Sequence, residues 1–138
     1  MPAKDIYHNQ VKNALEKENW QITKDPLVLK WGTRDLYIDL GAEKLIAAEK
    51  TGQKIAVEVK SFVSNSPIAD LEKALGQYVL YHDILEQLEP NRHLYLAIRQ
   101  ETYLELFEEP VGKILLENQR LCLLVFDSEQ EIILKWIP

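Results

Sequence analysis

The segment Lys54–Phe62 constrains the fold of this chain more than any other. It reads Lys-Ile-Ala-Val-Glu-Val-Lys-Ser-Phe, which is typical of a β-strand. Because successive side chains of a strand point to opposite faces, Glu58 and Lys60 share one face and a row of apolar side chains shares the other. That apolar row consists of Ile55, Val57 and Val59. It must pack against a helix, so the strand is predicted to lie inside an α/β core.

Glu58 and Lys60 are the candidates for chemistry on this strand. Their Cα atoms are about 7 Å apart by the rise of a strand. Charges on an inner strand are costly to desolvate unless they are paired or bind a metal. Glu58-Val59-Lys60 is also the only acidic–any–Lys tripeptide of the chain. The alternative is a solvent-exposed ion pair worth about 0–1 kcal/mol.

A second carboxylate, Asp39, lies nineteen residues before Glu58 in another alternating run, Arg34–Leu40. If the two strands are neighbours, both carboxylates converge and repel one another unless a hard divalent cation lies between them. Mg²⁺ (or Mn²⁺) suits such oxygen ligands, and the Val59 carbonyl is a candidate third ligand. Lys60 is then placed to orient a water that attacks a phosphodiester. Three other carboxylates remain alternatives to Asp39, namely Asp35, Glu43 and Glu49.

The remaining sequence predicts helices and strands in an order that gives an α/β sandwich with a central mixed sheet flanked by helices, in a single domain spanning residues 1–138. Helices are predicted at Asp5–Asn19 with Asp5 as its cap, at Ser66–Leu88 with Ser66 as cap and Pro67 in the first turn, at Glu101–Phe107 and at Val111–Asn118. Strands are predicted within Trp20–Leu29 around a Pro26 turn, at Arg34–Leu40, Lys54–Phe62, His93–Ile98, Leu121–Asp127 and Glu131–Ile137. Leu45–Glu49 fits a strand or a short helix, and Lys50–Gln53 a turn.

Composition narrows the class of protein. The net charge of −6 argues against broad, non-specific coating of DNA, which needs a basic surface, but it leaves room for a cation site. The single cysteine, Cys122, excludes an internal disulfide. No apolar run approaches the ~20 residues of a membrane helix. We therefore expect a cytoplasmic protein that has no contact with a membrane.

Asp39 followed by the Glu58-Val59-Lys60 strand resembles the signature of the PD-(D/E)xK nuclease superfamily. Gln77 and Tyr81, one helical turn apart, are similar to the QxxxY element of its RecB-type and resolvase-like branches. The resemblance implies a restriction-endonuclease-like fold, with Gln77 in the catalytic set and Tyr81 beside the substrate. Two departures are the long spacing from Asp39 to Glu58 and the absence of a proline before Asp39. The resemblance also makes His8 of the first helix a candidate for binding substrate, the alternative being a surface histidine.

Longer segments resemble the XisH family over essentially the whole chain. They are the start Met-Pro-Ala-Lys-Asp, Arg34-Asp-Leu-Tyr-Ile-Asp-Leu-Gly-Ala-Glu, Ile55-Ala-Val-Glu-Val-Lys-Ser-Phe, Leu75-Gly-Gln-Tyr-Val-Leu-Tyr and Leu123-Leu-Val-Phe-Asp. XisH proteins are known mainly from cyanobacteria as fdxN element excision controlling factors. The resemblance implies a role in programmed DNA excision, with DNA, a recombinase and a companion protein of the XisI type as partners.

Two functions of different classes follow from the sequence. The first is a Mg²⁺-dependent DNA endonuclease that acts in excision. The second is a non-enzymatic accessory factor that binds a partner protein or DNA and controls a site-specific recombinase. A defence nuclease of a two-gene unit is a weaker third hypothesis. The apolar closing hairpin, Leu121–Ile137, is a candidate surface for a homo-oligomer or a partner.

Overall fold

The computed structural model describes residues 4–45 and 52–138. The helices are α1 (His8–Lys17), α2 (Pro67–Leu88), α3 (Gln100–Thr102) and α4 (Pro110–Glu117), with a π-helical turn at Tyr103–Phe107. The strands are β1 (Gln21–Lys24), β2 (Leu27–Trp31), β3 (Arg34–Ile38), β4 (Leu40–Leu45), β5 (Gly52–Val59), β6 (Arg92–Arg99), β7 (Leu123–Asp127) and β8 (Ile132–Ile137).

The described strands form one central sheet and one separate ribbon. The central sheet has six strands in the order β1-β4-β5-β6-β7-β8, and β2 pairs with β3 alone. The pairs β5–β6 and β6–β7 are parallel, whereas the other pairs of the sheet are antiparallel. The predicted mixed α/β fold is therefore confirmed, with β5 in the interior of the sheet.

Both faces of β5 are covered by helices, as its alternation predicted. Ile55, Val57 and Val59 belong to the core that contains Val11 and Leu15 of α1. On the opposite face, Ala56 packs in the core that contains residues of α2. Glu58 points to this second face and is only 6% exposed. The acidic side chain is therefore inside the protein.

Helix α2 begins and ends where its sequence predicts. The Ser66 hydroxyl accepts a hydrogen bond from the Ala69 amide (3.2 Å), and Pro67 occupies the first turn, where its missing N–H is not needed. The buried Tyr78 hydroxyl donates to the Leu94 carbonyl (2.8 Å) and accepts from the Cys122 amide (3.1 Å). These bonds fix α2 against β6 and the segment before β7.

Several predicted elements differ in detail, among them the strand predicted at Lys54–Phe62, which runs from Gly52 to Val59. Helix α1 begins at His8 rather than Asp5. The Asp5 carboxylate accepts a hydrogen bond from the Tyr7 amide in the turn that precedes the helix. The predicted strand Arg34–Leu40 is broken at Asp39, since β3 pairs with β2 and β4 joins the central sheet. The predicted helix Glu101–Phe107 consists of α3 and the π-helical turn, and the following helix begins at Pro110.

The predictions for Leu45–Glu49 and the Lys50–Gln53 turn fall mostly outside the described residues. Leu45 closes β4, and Gly52 and Gln53, which were predicted to belong to the turn, are strand residues of β5 paired with β4. Within residues 4–45 and 52–138, no helix is long and apolar enough to cross a membrane.

Candidate functional site

Asp39 and Glu58 lie side by side although nineteen residues separate them. The antiparallel register places Leu40 of β4 opposite Val57 of β5, which brings Asp39 beside the end of β5. The Asp39 amide donates to Glu58 Oε1 (3.2 Å), and the Val59 amide donates to Asp39 Oδ2 (2.7 Å). The two carboxylates therefore converge, as the pairing of two alternating strands predicted, and Asp39 does so from the break between β3 and β4.

The electrostatic environment of Glu58 is unfavourable for a charged side chain. Burial raises the pKa of Glu58 to about 8, with a further upward contribution from the neighbouring Asp39 carboxylate. Lys60 acts in the opposite direction. A buried carboxylate in this situation is stabilised either by a proton or by additional positive charge. The raised pKa of Glu58 shows that its neutral form is favoured as long as no further positive charge lies beside it.

Among residues 4–45 and 52–138, Lys60 is the cation that forms an ion pair with Glu58. Its Nζ lies 3.7 Å from Glu58 Oε2, and its side chain is 26% exposed. It shares the face of Glu58, as predicted, and stands just beyond the end of β5. An ammonium group held at a cleft wall by a buried carboxylate can also donate hydrogen bonds to a ligand.

These side chains line a cleft of about 260 Å³. Gln77 and Tyr81 of α2 line the same cleft, so the residues singled out on the helix lie at the same cleft as Glu58 and Lys60 of the strand segment. The Gln77 Oε1 atom is buried and has no hydrogen-bond partner among the described residues. Burial, then the charges of Glu58 and Asp39, raise the pKa of Tyr81, so its hydroxyl stays protonated and available as a donor. The complete lining is Asp5, Asp35, Leu36, Tyr37, Asp39, Glu58, Val59, Lys60, Gln77 and Tyr81.

Three lining residues were not predicted for the site. Asp5 reaches it from the turn before α1, while Leu36 and Tyr37 come from β3. No local pattern marks Asp5, because its position depends on how α1 packs on the sheet. Leu36 and Tyr37 stand in the same alternating run as Asp39, which is the signal that could have found them.

The alternative carboxylates are placed differently. Asp35 lines the same cleft. Glu43 is turned elsewhere, 3.8 Å from Lys54 and 3.6 Å from Arg92. Glu49 lies outside the described residues. Of these candidates, Asp39 is the one hydrogen-bonded to Glu58.

His8 is not among the residues that line the cleft. It is only 3% exposed, and its Nε2 lies 2.8 Å from Asp25 Oδ1. Lys12 Nζ approaches the other oxygen of Asp25 at 3.2 Å. The alternative of a surface histidine is therefore wrong, because His8 is a buried partner of Asp25.

The cleft offers oxygen atoms, which are the ligands that hard divalent cations prefer. The carboxylates of Asp39 and Glu58 and the Val59 carbonyl would hold it, with the unpartnered Gln77 Oε1 close by as a further acceptor. Among the described residues there is no group of three or more His, Cys, Asp and Glu side chains arranged around one metal position. A cation here would therefore need backbone, amide or water ligands, which Mg²⁺ readily accepts.

The sequence profile of the family described as XisH protein matches residues 1–134. This chain belongs to the XisH family. The crystal structure of an XisH family protein from Nostoc punctiforme has 41% identity, covers 97% of this chain and 100% of its own, and superposes with a TM-score of 0.86. An fdxN element excision controlling factor from Anabaena variabilis has 44% identity, with 98% and 100% coverage and a TM-score of 0.85. No curated protein sequence matches this chain.

Proposed function

We propose that this XisH family protein is a divalent-metal-dependent nuclease that acts on DNA during excision of a DNA element. The excision role is taken from the name of the Anabaena variabilis relative, fdxN element excision controlling factor. The observation that carries the nuclease role is the pairing of the buried Glu58 with the half-buried Asp39 through two hydrogen bonds, with Lys60 and Gln77 in the same cleft.

The proposal includes a restriction-endonuclease-like fold of the PD-(D/E)xK type. It is supported by the mixed central sheet, by the acidic–any–Lys tripeptide at the end of an interior strand, and by an acidic residue held against it from a neighbouring strand. The helix that follows β5 places Gln77 and Tyr81 over the same cleft.

Each residue has a role in this proposal. Mg²⁺ (or Mn²⁺) would polarise the phosphodiester and offset the charge that develops during cleavage. Asp39, Glu58 and the Val59 carbonyl would hold it. The Lys60 ammonium donates a hydrogen bond that orients the attacking water or a phosphate oxygen. Gln77 and Tyr81, which line the same cleft, position the substrate backbone.

The test is nicking of plasmid and branched DNA by purified protein in the presence of Mg²⁺ or Mn²⁺. We expect Glu58→Gln and Lys60→Ala to reduce the cleavage rate at least about a hundredfold, equivalent to a loss of about 3 kcal/mol of transition-state stabilisation. Glu86→Gln, on the exposed side of α2, removes the same charge away from the cleft and should cleave like the wild type. Equal rates for the wild type and both cleft variants would contradict the proposal.

A non-enzymatic accessory factor is the second candidate function. One oxygen of each carboxylate is already bonded to a backbone amide, and Lys60 lies near the remaining oxygen of Glu58, which is the closed arrangement of a retained structural ion pair. In this alternative the protein controls a recombinase through DNA, through an XisI-like companion or through a homo-oligomer. Full excision in cells that carry Glu58→Ala would favour it over the nuclease.

A further inference from the structure

The ribbon formed by β2 and β3 is not hydrogen-bonded to the central sheet and has a short, defined tip. Its register runs from Leu27 opposite Ile38 to Trp31 opposite Arg34, so that only residues 32 and 33 form the loop. Gly32 has φ of 61°, in the left-handed region that glycine adopts without strain. The tip is therefore narrow and held by strand pairing on both sides.

The ribbon is anchored at its base and exposed at its tip. Leu27, Leu29 and Ile38 are buried in the core shared with α2. Trp31, by contrast, is 46% exposed, and the side chain of Lys30 is 80% exposed. Apolar packing thus fixes the direction of the ribbon, while a large aromatic side chain is presented to solvent.

The tip is locally basic in a chain whose net charge is −6. The segment from Lys30 to Arg34 carries two cations and no carboxylate. Lys30 Nζ is 3.9 Å from Asp35 Oδ1, but both side chains are largely exposed, so this pair contributes little. An exposed tryptophan between two available cations is suited to a polyanion that also offers apolar surface.

The ribbon also leads directly into the acidic cleft. Leu36 and Tyr37 of β3 line the cleft together with Glu58. Arg34 at the tip is three residues from Tyr37, or about 10 Å along the strand. The major groove of B-DNA is about 12 Å wide and admits a two-stranded ribbon, so its centre is about 6 Å from a rim of phosphates. If the tip of the ribbon lay in that groove, the phosphate groups along the edge of the groove would therefore lie on the side of the cleft.

We propose that the β2–β3 ribbon is a DNA-binding arm that inserts its tip into the major groove of duplex DNA. Trp31 makes apolar contact with base edges, while Lys30 and Arg34 contact phosphates or acceptor atoms of the bases. This inference rests on the proposed function, because it assigns duplex DNA as the substrate of the same cleft. Duplex RNA is excluded by its narrow major groove, which a ribbon cannot enter.

The experiment measures binding to a labelled short DNA duplex by fluorescence anisotropy, with Ca²⁺ in place of Mg²⁺. We expect Trp31→Ala to raise Kd about tenfold with an unchanged salt dependence, because it removes no charge. The double variant Lys30→Ala/Arg34→Ala should raise Kd at least tenfold and lower the slope of log Kd against log salt by about 2. The charge-matched control is Lys113→Ala/Arg120→Ala, two exposed side chains outside the ribbon, and should bind within about twofold of the wild type.

Three results would contradict the proposal that the ribbon is a DNA-binding arm. They are equal DNA affinity of the tip variants and the charge-matched control, absence of DNA binding by the wild type, and tighter binding of a duplex RNA of the same sequence. Loss of affinity for a companion protein in Trp31→Ala, with DNA affinity unchanged, would likewise make the tip a protein-docking surface. The arm and the nuclease are distinguished because tip-dependent binding is measured without cleavage, whereas the nuclease fails if Glu58→Gln cuts as fast as the wild type.

Discussion

Glu58 lies in the interior of the sheet with a second carboxylate beside it, and this placement has a consequence for stability. In the unfolded chain the Glu58 carboxyl group loses its proton near the ordinary glutamate pKa of 4.5. In the folded chain the same group keeps its proton up to a pKa of about 8. The folded state therefore binds more protons between these values, and its stability falls as pH rises through that window. The contribution is fully present below about pH 4.5 and is lost above about pH 8.

Replacing Glu58 with Gln removes this titration while keeping a side chain of similar size. In buffer without divalent cations, the unfolding free energy of Glu58→Gln should rise relative to that of the wild type as the pH increases. We expect this difference to grow by about 1–3 kcal/mol between pH 5 and pH 8.5. Urea unfolding at a series of pH values measures the difference. Glu86→Gln serves as the exposed control, and a wild-type-minus-variant difference independent of pH would contradict the assignment.

At the residue scale, the sequence predicted how Glu58 and Lys60 are placed but not how His8 is buried. Alternation alone was enough to place Glu58 and Lys60 on one face, since it depends only on strand geometry. His8 was different. It stands three residues before Val11 and seven before Leu15, so helical spacing already put it on the buried face. Only its polarity argued for the surface, and Asp25, its partner, comes from another part of the chain.

Tyr78 connects three elements through one hydroxyl and lies one residue after Gln77 on α2. Tyr78→Phe leaves the Leu94 carbonyl and the Cys122 amide without this partner. We expect a loss of about 1–3 kcal/mol in unfolding free energy. Tyr81→Phe is the matched control, since it removes the same atom from a half-buried tyrosine of the same helix, and it should change stability by less than about 0.5 kcal/mol. Equal effects of the two substitutions would show that the Tyr78 hydroxyl does not hold α2.

Element boundaries followed from the sequence where local chemistry sets them. Helix α2 begins at a serine cap followed by proline, and both signals are local. The break at Asp39 could not be predicted, because the alternation of Arg34–Leu40 continues through it unchanged. What changes there is the partner: β3 pairs with β2, and β4 pairs with β1 and β5. Pairing of distant strands is not encoded in a local period.

At the scale of the molecule, the cleft lies at the carboxyl end of the interior strand β5. Strands β5 and β6 are parallel, so their carboxyl ends reach the same edge of the sheet, and α2 returns the chain from that edge. Ligands in open α/β sheets characteristically bind outside such strand ends. Leu36 and Tyr37 of the β2–β3 ribbon line the same cleft, so the proposed arm and the proposed cleavage site share strand β3.

The mixed order of the sheet could be predicted from the order of helices and strands, since the β5–α2–β6 crossover favours parallel pairing and the short closing hairpin favours antiparallel pairing. The separate ribbon could not, because its two strands carry the same alternation as strands of the central sheet. The position of Asp5 in the cleft was also beyond the sequence, since it follows from the packing of α1 against the sheet.

The central claim is that Asp39 and Glu58 form a cation site, and titration with Mn²⁺ followed by electron paramagnetic resonance tests it most directly. We predict one Mn²⁺ site in the wild type that is lost in Asp39→Asn and in Glu58→Gln but kept in the exposed control Glu86→Gln. Asp35→Asn should retain it, because Asp35 lines the cleft without bonding to the pair. No Mn²⁺ bound by the wild type, or binding by Asp39→Asn and Glu58→Gln equal to that of the wild type, would contradict the account.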